Sequence, residues 1–288
     1  SWGADELSLY GRFDFILAKD GTPKILEFNA DTPTSLLEAS VIQWQWKEDV
    51  FPECDQFNGI HEGLVQSWKD IFPKKGEIHF AGALENNEDT GTLQYLASTA
   101  MEAGFSTRVL DMQALDLQNG RFFDPAGELV NRCFKLYPWE WMVDESPDGC
   151  LAEMEWLEPI WKLVMSNKAI LATLYELFPD SPYVLPCYLS RPRSGLFCKK
   201  PVFSREGHNV SVVDIRDWEE YVRIAETEGD YNTGAYVYQE YVEPTAYSGR
   251  YPVIGSWIIG GEAAGIGIRE NRMEVTDNLS EFVPHIIG

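Results

Sequence analysis

The chain has 288 residues, enough for one large or two modest domains, and its 44% hydrophobic and 13% aromatic content excludes a disordered protein. A net charge of −23, from 46 acidic and 23 basic side chains, argues against nucleic acid and anionic membranes as partners. Five cysteines without a CxxC spacing argue against a disulfide framework, so we expect a reducing, cytoplasmic location.

The first predicted element is a β-hairpin from Gly11 to Ala30, with two alternating segments around the turn residues Asp20 to Pro23. The predicted register opposes three pairs of residues: Asp14 with Asn29, Arg12 with Asp31, and Ile16 with Glu27. One side of the hairpin is apolar and is expected to face a core; it carries Phe13, Phe15, Leu17, Leu26, Phe28 and Ala30.

The other side of this hairpin gathers oxygen-bearing side chains around a single cation. Its members are Arg12, Asp14, Glu27, Asn29 and Asp31. Like charges repel, and carboxylate and amide oxygens are the ligands that Mg²⁺ takes when it also holds nucleotide phosphates, so a hard cation fits here. The alternative is a solvated face of an edge hairpin, balanced by Lys19 and Lys24.

A helix is predicted directly after the hairpin. Thr32 can cap it, Pro33 suits its first position, and a capping box is possible between Ser35 and Glu38. The predicted apolar stripe consists of Leu37, Val41 and Trp44. A helix N-terminus at this junction favours anions. A second helix is predicted over 57–72, ended by a proline.

Residues 77–112 have the pattern strand, helix, strand, which predicts a parallel βαβ unit. No GxGxxG follows the first strand, so we predict no dinucleotide site. The residues that begin the helix lie at the carboxyl end of that strand, where open α/β sheets bind ligands. They are Asn86, Asn87, Glu88 and Asp89, and a purely structural helix cap is the alternative.

The tryptophan-rich stretch 131–161 is interpreted as a packed connection without chemistry. A helix is predicted from Ser166 to Pro179, with Lys168 in its first turn. Lysine is unusual at the positive end of a helix, so Lys168 would suit an external anion. A solvated lysine is the alternative.

A second hairpin is predicted around the turn Ser204–Gly207, between a strand that ends near Lys200 and another over 209–213. Its small residues and flanking cations can fold over phosphates, although the Walker pattern is absent. The turn consists of Ser204, Arg205, Glu206 and Gly207.

The last third of the chain is predicted to hold a surface helix over 217–229, a strand over 235–244 and strands around Gly260–Gly261. Arg269 lies at the end of the last of these strands. A surface ion pair with Glu270 is the alternative to a functional role for it.

Taken together, these motifs resemble a known family. The magnesium strands of the ATP-grasp superfamily are resembled by RxD, a turn, then ExN followed by a proline. The segment KKP…SREG resembles the phosphate-covering loop of that superfamily, and YQEYVEP resembles its adenine hinge. The metal strands come before the hinge here, the reverse of the usual order. With FKLYPWEW, SNKAILATLYELFP and GIGIRE, the whole chain is similar to the glutathionylspermidine synthase family, and to its shorter members that lack an amidase half.

The resemblance implies ATP and Mg²⁺ as cofactors and a role for each candidate residue. The implied metal ligands are Asp14, Glu27 and Asn29, and the implied catalytic arginines are Arg12 and Arg269. The implied nucleotide-binding residues are Lys168, Lys200, Ser204, Arg205, Gly207, Gln239, Glu240, Tyr241 and Val242. Substrate contacts are expected at Thr32, Thr34, Ser35, Glu88 and Asp89.

The expected fold is α+β and ATP-grasp-like with permuted order, comprising a central antiparallel-rich sheet, a lid and a Rossmann-like βαβ portion. The expected divisions are an ATP-grasp portion at 1–75, the βαβ portion at 76–160, the lid at 161–242 and return strands at 243–288. The implied activity joins a peptide carboxylate such as glutathione to an amine such as spermidine at the expense of ATP. Two alternatives stay open, namely a nucleotide-binding protein with degenerate catalysis and an amide ligase for another acid and amine.

Overall fold

The computed structural model describes residues 6–205, 207–217, 221–229, 234–272 and 280–288. The strands are β1 (Tyr10–Leu17), β2 (Pro23–Asn29), β3 (Glu77–Gly82), β4 (Ser106–Asp111), β5 (Asp116–Gln118), β6 (Arg121–Phe123), β7 (Leu129–Val130), β8 (Arg132–Leu136), β9 (Glu155–Leu157), β10 (Cys187–Tyr188), β11 (Gly195–Pro201), β12 (Ser211–Ile215), β13 (Tyr221–Glu226), β14 (Tyr236–Glu240), β15 (Tyr251–Ile259), β16 (Glu262–Asn271) and β17 (Glu281–Val283). The helices are α1 (Gln43–Val50), α2 (Ile60–Ile71), α3 (Asn87–Glu102), α4 (Trp139–Glu145), α5 (Pro147–Cys150), α6 (Lys162–Met165) and α7 (Ile170–Leu177).

These strands form four sheets. Two are antiparallel and five-stranded, in the orders β17-β16-β15-β1-β2 and β10-β14-β11-β12-β13. A parallel sheet has the order β4-β3-β8-β9, and β5-β6-β7 form a small antiparallel sheet. The protein is therefore a mixed α/β fold. The predicted strand–helix–strand unit is confirmed in β3, α3 and β4, whereas the domain divisions and the permuted order stay predictions.

The main core lies between the first antiparallel sheet and the parallel sheet. Trp68 on α2 meets Phe80 and Phe134 of the parallel sheet edge-on, and Tyr10 of β1 packs 5.7 Å from Phe134 between ring centroids. Helices α2 and α3 complete this cluster. Burial of these large rings fixes β1, and with it the polar side chains that follow Tyr10.

The register of the first hairpin differs from the prediction. Arg12 faces Asn29 and Asp14 faces Glu27, with a β-bulge between Asp14 and Phe15. The backbone turn is tighter than predicted, because Gly21 N donates to Ala18 O at 2.8 Å. The bulge places one extra residue on β2 between the pairs Asp14–Glu27 and Phe15–Ile25. Beyond the bulge, the polar side chains of both strands therefore point to the same side of the sheet, as predicted.

The prediction that the apolar side of this hairpin faces the core is wrong for most of its length. Arg12 and Asp14 are 4% and 2% exposed, whereas Phe13 and Phe28 are only partly buried and stack on each other at 4.0 Å. The polar side lies against neighbouring elements of the fold. This is the first structural sign that it is not a solvated surface.

The helix after the hairpin begins later than predicted. Ser35 has a left-handed φ of 65°, and helical backbone starts at Leu36, so Thr32 does not cap it and Pro33 is not its first residue. Its buried side is Leu36, Ala39, Ser40 and Gln43, while Val41 and Trp44 are 40% and 47% exposed. A π-helical segment over Glu38–Ile42 rotates the faces away from the predicted stripe.

Three further elements differ from their predictions. The helix predicted from Ser166 begins only at Ile170, as α7, so Lys168 precedes its first turn; Asn167 Oδ1 accepts from Ala169 N at 2.8 Å in place of a cap by Ser166. The surface helix over 217–229 is instead the exposed edge strand β13, because pairing with β12 outweighs local helix preference; residues 218–220 lie outside the described part. The packed connection 131–161 contains β8, α4, α5 and β9.

All five cysteines are free thiols. None of the described helices has both the length and the apolar character needed to span a membrane.

His79, in the middle of β3, gives a prediction for stability. Among the described residues neither of its ring nitrogens has a hydrogen-bond partner, and burial lowers its pKa even though Glu77 lies 3.7 Å away. On acidification the unfolded chain therefore takes up this proton first, and stability falls as the pH drops below about 6.5, by at most about 1.4 kcal/mol per pH unit. We expect the urea-unfolding free energy of His79→Leu to decline less steeply than that of the wild type between pH 7 and pH 5.

The control is Gln66→Leu, which introduces the same residue type on the exposed side of α2 and removes no titrating group. It should keep the wild-type slope. Parallel pH profiles for His79→Leu and the wild type would show that His79 takes no part in this dependence.

Candidate functional site

Asp14 is the centre of the candidate site. Its Oδ1 accepts from Arg12 Nε at 2.6 Å, and its Oδ2 accepts from Arg12 Nη2 at 3.0 Å and from Arg269 Nη2 at 2.7 Å. Arg269 thus pairs with Asp14, on the next strand but one, and not with Glu270 as in the alternative interpretation. Burial alone would lower the pKa of Arg12, but Asp14 reverses this and raises it, whereas burial and the neighbouring Arg12 lower the pKa of Arg269.

Gly255 on β15 makes room for this cluster. It pairs with Asp14, and a Cβ at this position would lie 2.6 Å from Cδ of Arg12. Any side chain here would force the Arg12 stem to move. No motif marks Gly255 in the sequence, where its signal is a glycine inside a strand with several β-branched residues.

Glu27 and Asn29 extend the cluster from β2. The Asn29 amide nitrogen lies 3.2 Å from Asp14 Oδ2 and 3.4 Å from Glu27 Oε1, so the structure brings the three predicted metal ligands together. Lys168 Nζ forms an ion pair with Glu27 Oε2 at 2.9 Å. Burial would raise the pKa of Glu27, but Lys168 and Lys200 lower it to about 2.

The two predicted lysines approach Glu27 from separate elements. Lys200 is buried on β11 and donates to Leu26 O at 3.0 Å and to Gln239 Oε1 at 2.7 Å. Burial lowers its pKa. Lys168 precedes α7 and donates to Ser204 O at 2.6 Å. Both ammonium groups therefore lie beside β2 and close to the carboxylate cluster.

A narrow cleft of about 90 Å³ lies between β2 and the second antiparallel sheet. Its walls are mainly apolar, with the lysines at one end. The segment predicted to surround adenine, Gln239 to Val242, lines it, and its backbone is held by Glu240 N to Pro186 O at 2.7 Å and Tyr241 N to Leu196 O at 2.9 Å. An apolar lining with a small number of polar groups is typical of small-molecule sites.

A wider cavity of about 590 Å³ opens on the other side of Glu27. Its lining includes the arginines of the cluster and the start of α3. All five predicted substrate residues are among its lining: Thr32, Thr34, Ser35, Glu88 and Asp89. Glu27 and Gly207 line both the cavity and the narrow cleft, so the two spaces meet at the cluster.

Arg205 lies in the wide cavity rather than in the narrow cleft. Its Nη1 donates to Thr32 Oγ1 at 2.6 Å and its Nη2 donates to Glu140 Oε1 at 2.6 Å. Ser204 contributes a backbone oxygen to Lys168, and its own hydroxyl donates to Pro201 O at 3.5 Å. Glu206, predicted in the same turn, lies outside the described residues.

Asp31 does not belong to the polar cluster, contrary to the predicted pairing with Arg12. It is 1% exposed; its Oδ1 accepts from Lys135 Nζ at 2.6 Å and its Oδ2 from Trp139 N at 2.9 Å. Asp31 comes after the last residue of β2, where the strand has already turned towards the parallel sheet. Its partners lie in the stretch 131–161, to which the sequence analysis assigned no chemistry.

The family model described as glutathionylspermidine synthase preATP-grasp matches residues 1–288. The chain belongs to this family. The resemblance drawn from its motifs is therefore confirmed. Two structures with low sequence identity share the fold of this family member: a γ-glutamylcysteine synthetase-type protein from Methylobacillus flagellatus (10% identity, TM-score 0.67, covering 99% of this chain and 82% of that one) and a glutathione synthetase-like effector from Globodera pallida (10% identity, TM-score 0.59, covering 98% and 77%).

Curated relatives match nearly the whole chain. A Haemophilus influenzae protein named as an acid–amine ligase is 39% identical over 300 residues, covering 99% of this chain and 76% of its own length. Trypanothione synthetase of Crithidia fasciculata is 28% identical over 316 residues, covering 98% of this chain and 48% of its own length. The Escherichia coli bifunctional glutathionylspermidine synthetase/amidase is 26% identical over 311 residues, covering 96% of this chain and 49% of its own length. The chain thus spans about half the length of the last two proteins.

The donor set of this glutathionylspermidine synthase family member fits a hard divalent cation. It comprises two carboxylates and one amide, Asp14, Glu27 and Asn29; among the described residues no group of three or more His, Cys, Asp and Glu side chains is placed to hold a metal. Turning the Asn29 amide by half a turn would direct its oxygen to the same point as the carboxylates. Oxygen donors with positions left open for phosphate are typical of magnesium sites.

Proposed function

We propose that the protein is an ATP-dependent carboxylate–amine ligase that activates an acid as an acyl phosphate and then forms an amide. One observation carries this proposal. The narrow apolar cleft and the wide polar cavity meet at Glu27 and Gly207, so a nucleotide in one and an acid in the other would bring their reacting ends to the Asp14 cluster. The curated relatives named as ligases support the reaction class.

Each group of residues has a role in this reaction. Gln239 to Val242 would surround adenine, while Lys168 and Lys200 would hold the phosphates. Arg12 and Arg269 would neutralise the phosphoryl group while it moves, which requires no covalent enzyme intermediate. Ser204, Arg205 and Gly207 would cover the junction.

Asp14, Glu27 and Asn29 would hold Mg²⁺. Bound there, the ion would supply positive charge that stabilises the negative charge of the phosphates. Arg12 and Arg269 would give up part of their hydrogen bonding to Asp14 for that carboxylate to hold the ion. They would then be free to turn towards the phosphoryl group.

The proposed reaction has two steps, phosphorylation of the acid and attack by the amine. A carboxylate oxygen of the acid bonds to the terminal phosphorus of ATP, and ADP leaves. The neutral amine then bonds to the acyl carbon, phosphate leaves, and the nitrogen gives its extra proton to water. Arg12 and Arg269 would stabilise the negative charge of the phosphoryl group during the first step. The acidic side chains Glu88 and Asp89 would attract a cationic amine into the wide cavity.

The substrates proposed are a peptide carboxylate such as glutathione and an amine such as spermidine. The name of the E. coli relative, a glutathionylspermidine synthetase/amidase, supports this choice. We further propose a cytoplasmic location. The predicted division into an ATP-grasp portion, a βαβ portion, a lid and return strands, with the metal strands placed first, belongs to the same proposal.

The proposal is tested by measuring ADP release across a panel of acids and amines. We expect release that requires both an acid and an amine, and we expect Lys200→Met to weaken the apparent affinity for ATP about 10- to 100-fold, since a buried charged donor to the phosphates is lost. The matched control is Lys199→Met on the same strand, whose ammonium instead lies over the Tyr236 ring at 3.8 Å. It should retain the wild-type affinity.

Calorimetry distinguishes the alternatives. ATP binding without ADP release for any acid–amine pair would favour a nucleotide-binding protein with degenerate catalysis. Release with other acids and amines, but not with glutathione and polyamines, would keep the enzyme class and change its substrates.

A further inference from the structure

Arg205 connects the segment between β11 and β12 to the wall of the wide cavity. Two of its nitrogens, Nη2 and Nε, lie 2.6 Å and 3.2 Å from the same oxygen, Glu140 Oε1. Its third nitrogen, Nη1, donates to Thr32 Oγ1 at 2.6 Å. The guanidinium plane is thereby fixed by one charged and one neutral acceptor.

The two acceptors of Arg205 are held in place by a buried hydrogen bond between their chain neighbours. Thr32 follows Asp31 in the chain and Glu140 follows Trp139, and Asp31 Oδ2 accepts from Trp139 N at 2.9 Å. Both acceptors are thus adjacent to a single buried contact. This contact is in place independently of the segment that carries Arg205.

The other end of that segment is held from the nucleotide side. Lys168 donates from its backbone N to Val202 O at 3.0 Å and from Nζ to Ser204 O at 2.6 Å, while it also pairs with Glu27. Residues 202–205 therefore connect Lys168, a cation of the narrow cleft, with Glu140, a carboxylate of α4.

Charge explains why an acid is needed at Glu140. Three guanidinium groups, those of Arg12, Arg205 and Arg269, line the wide cavity. Asp14 pairs with two of them, and Glu140 pairs with the third. Without Glu140, Arg205 would lose its charged acceptor and keep the neutral hydroxyl of Thr32, which holds a guanidinium less strongly.

We propose that Glu140 is a positioning residue, which holds Arg205 at the junction of the two cavities through an ion pair from α4. The effect of Glu140 on turnover rests on the proposed function, whereas its ion pair with Arg205 is independent of that function. With Arg205 so placed, its charge faces the acid when the phosphoryl group arrives. Within the described part of the chain, Glu140 is not among the residues that line the narrow cleft.

The kinetic test uses Glu140→Gln, which keeps the shape and removes the charge. We expect kcat to fall about tenfold or more with KM for ATP changed by less than about threefold, because Glu140 acts through Arg205 and outside the narrow cleft. Glu140→Asp should recover part of the loss, since it restores the charge. Arg205→Gln alone and together with Glu140→Gln should be equally impaired, because the second change removes nothing further.

Trypsin provides a measure of the same contact that does not depend on activity. It cleaves after arginine, and we expect Glu140→Gln to accelerate cleavage after Arg205 about tenfold, because release of the side chain exposes the segment. The control Asp144→Asn removes a carboxylate from the exposed side of the same helix and should leave both cleavage and kcat unchanged.

Faster cleavage together with a lower kcat supports the proposal. An unchanged cleavage rate overturns it, and so does faster cleavage with wild-type kcat, which would reduce Glu140 to a structural role. If the wild type turns over no acid–amine pair, the proposed function fails, and the cleavage rates alone then decide whether Glu140 holds Arg205.

Discussion

Asp14→Asn is expected to reduce ATP turnover by at least about 100-fold, the loss found when a preorganised charge is removed from a reacting centre. Asp14 holds Arg12 through both oxygens and Arg269 through one, and it is one of the three proposed metal donors. An amide of the same shape keeps one acceptor oxygen but loses the charge that both guanidinium groups require. Turnover is measured by ADP release with saturating ATP and Mg²⁺.

Loss of activity must be separated from loss of stability, since Asp14 is buried between two cations. The assay is therefore run well below the melting temperature of the variant, determined on the same sample. Asp20→Asn is the control, because it removes a carboxylate from the exposed turn of the same hairpin. Wild-type-like turnover in Asp14→Asn would refute both the metal assignment and the role given to the arginines.

The side of the first hairpin on which the site lies could be predicted from alternation alone, although the pairing itself was wrong by two residues. Asp14 was expected opposite Asn29 and lies opposite Glu27. A shift of the pairing by two residues leaves each side chain on the same side of the sheet. The turn alone would shift the pairing by three residues, and the extra residue in the bulge after Asp14 reduces this to two. The grouping was therefore predictable, whereas the individual neighbours depended on a bulge that leaves no signal in the sequence.

The segment Thr32–Ser35 shows why other local predictions were wrong. As an isolated peptide it fits a helix start, but Arg12 donates to the Thr34 carbonyl and Arg205 to the Thr32 hydroxyl. These partners lie 22 and 173 residues away in the chain. Long-range hydrogen bonds stabilise the loop against the helix cap, and local patterns contain no information about them.

The stretch 131–161 was assigned no chemistry because its aromatic residues and prolines are typical of a packed connection. Lys135 and Glu140 each lie among aromatic residues in FKLYPWEW. A charged residue inside an apolar run is the one available signal, since such a side chain must find a partner when it is buried. Which partner it finds is decided by the packing of β8 against the end of β2.

The second large effect is expected on stability. Lys135 is 0% exposed and Asp31 is 1% exposed, and their ion pair is completed by Tyr137 O at 2.9 Å and Trp139 N at 2.9 Å. Asp31→Leu leaves the ammonium group buried without a counter-ion. We expect the free energy of unfolding in urea to fall by about 3–5 kcal/mol, the usual cost of breaking a buried pair on one side.

The double variant Asp31→Leu/Lys135→Met distinguishes charge burial from loss of shape. Burial lowers the pKa of Lys135 and Asp31 opposes this, so removing both groups eliminates the desolvation cost together with the attraction. We expect the double variant to be more stable than Asp31→Leu, because a buried pair replaced as a unit often costs little. A double variant no more stable than the single one would assign the loss to the hydrogen bond from Trp139, and would make Asp31 an anchor for the cavity wall rather than the partner of a charge.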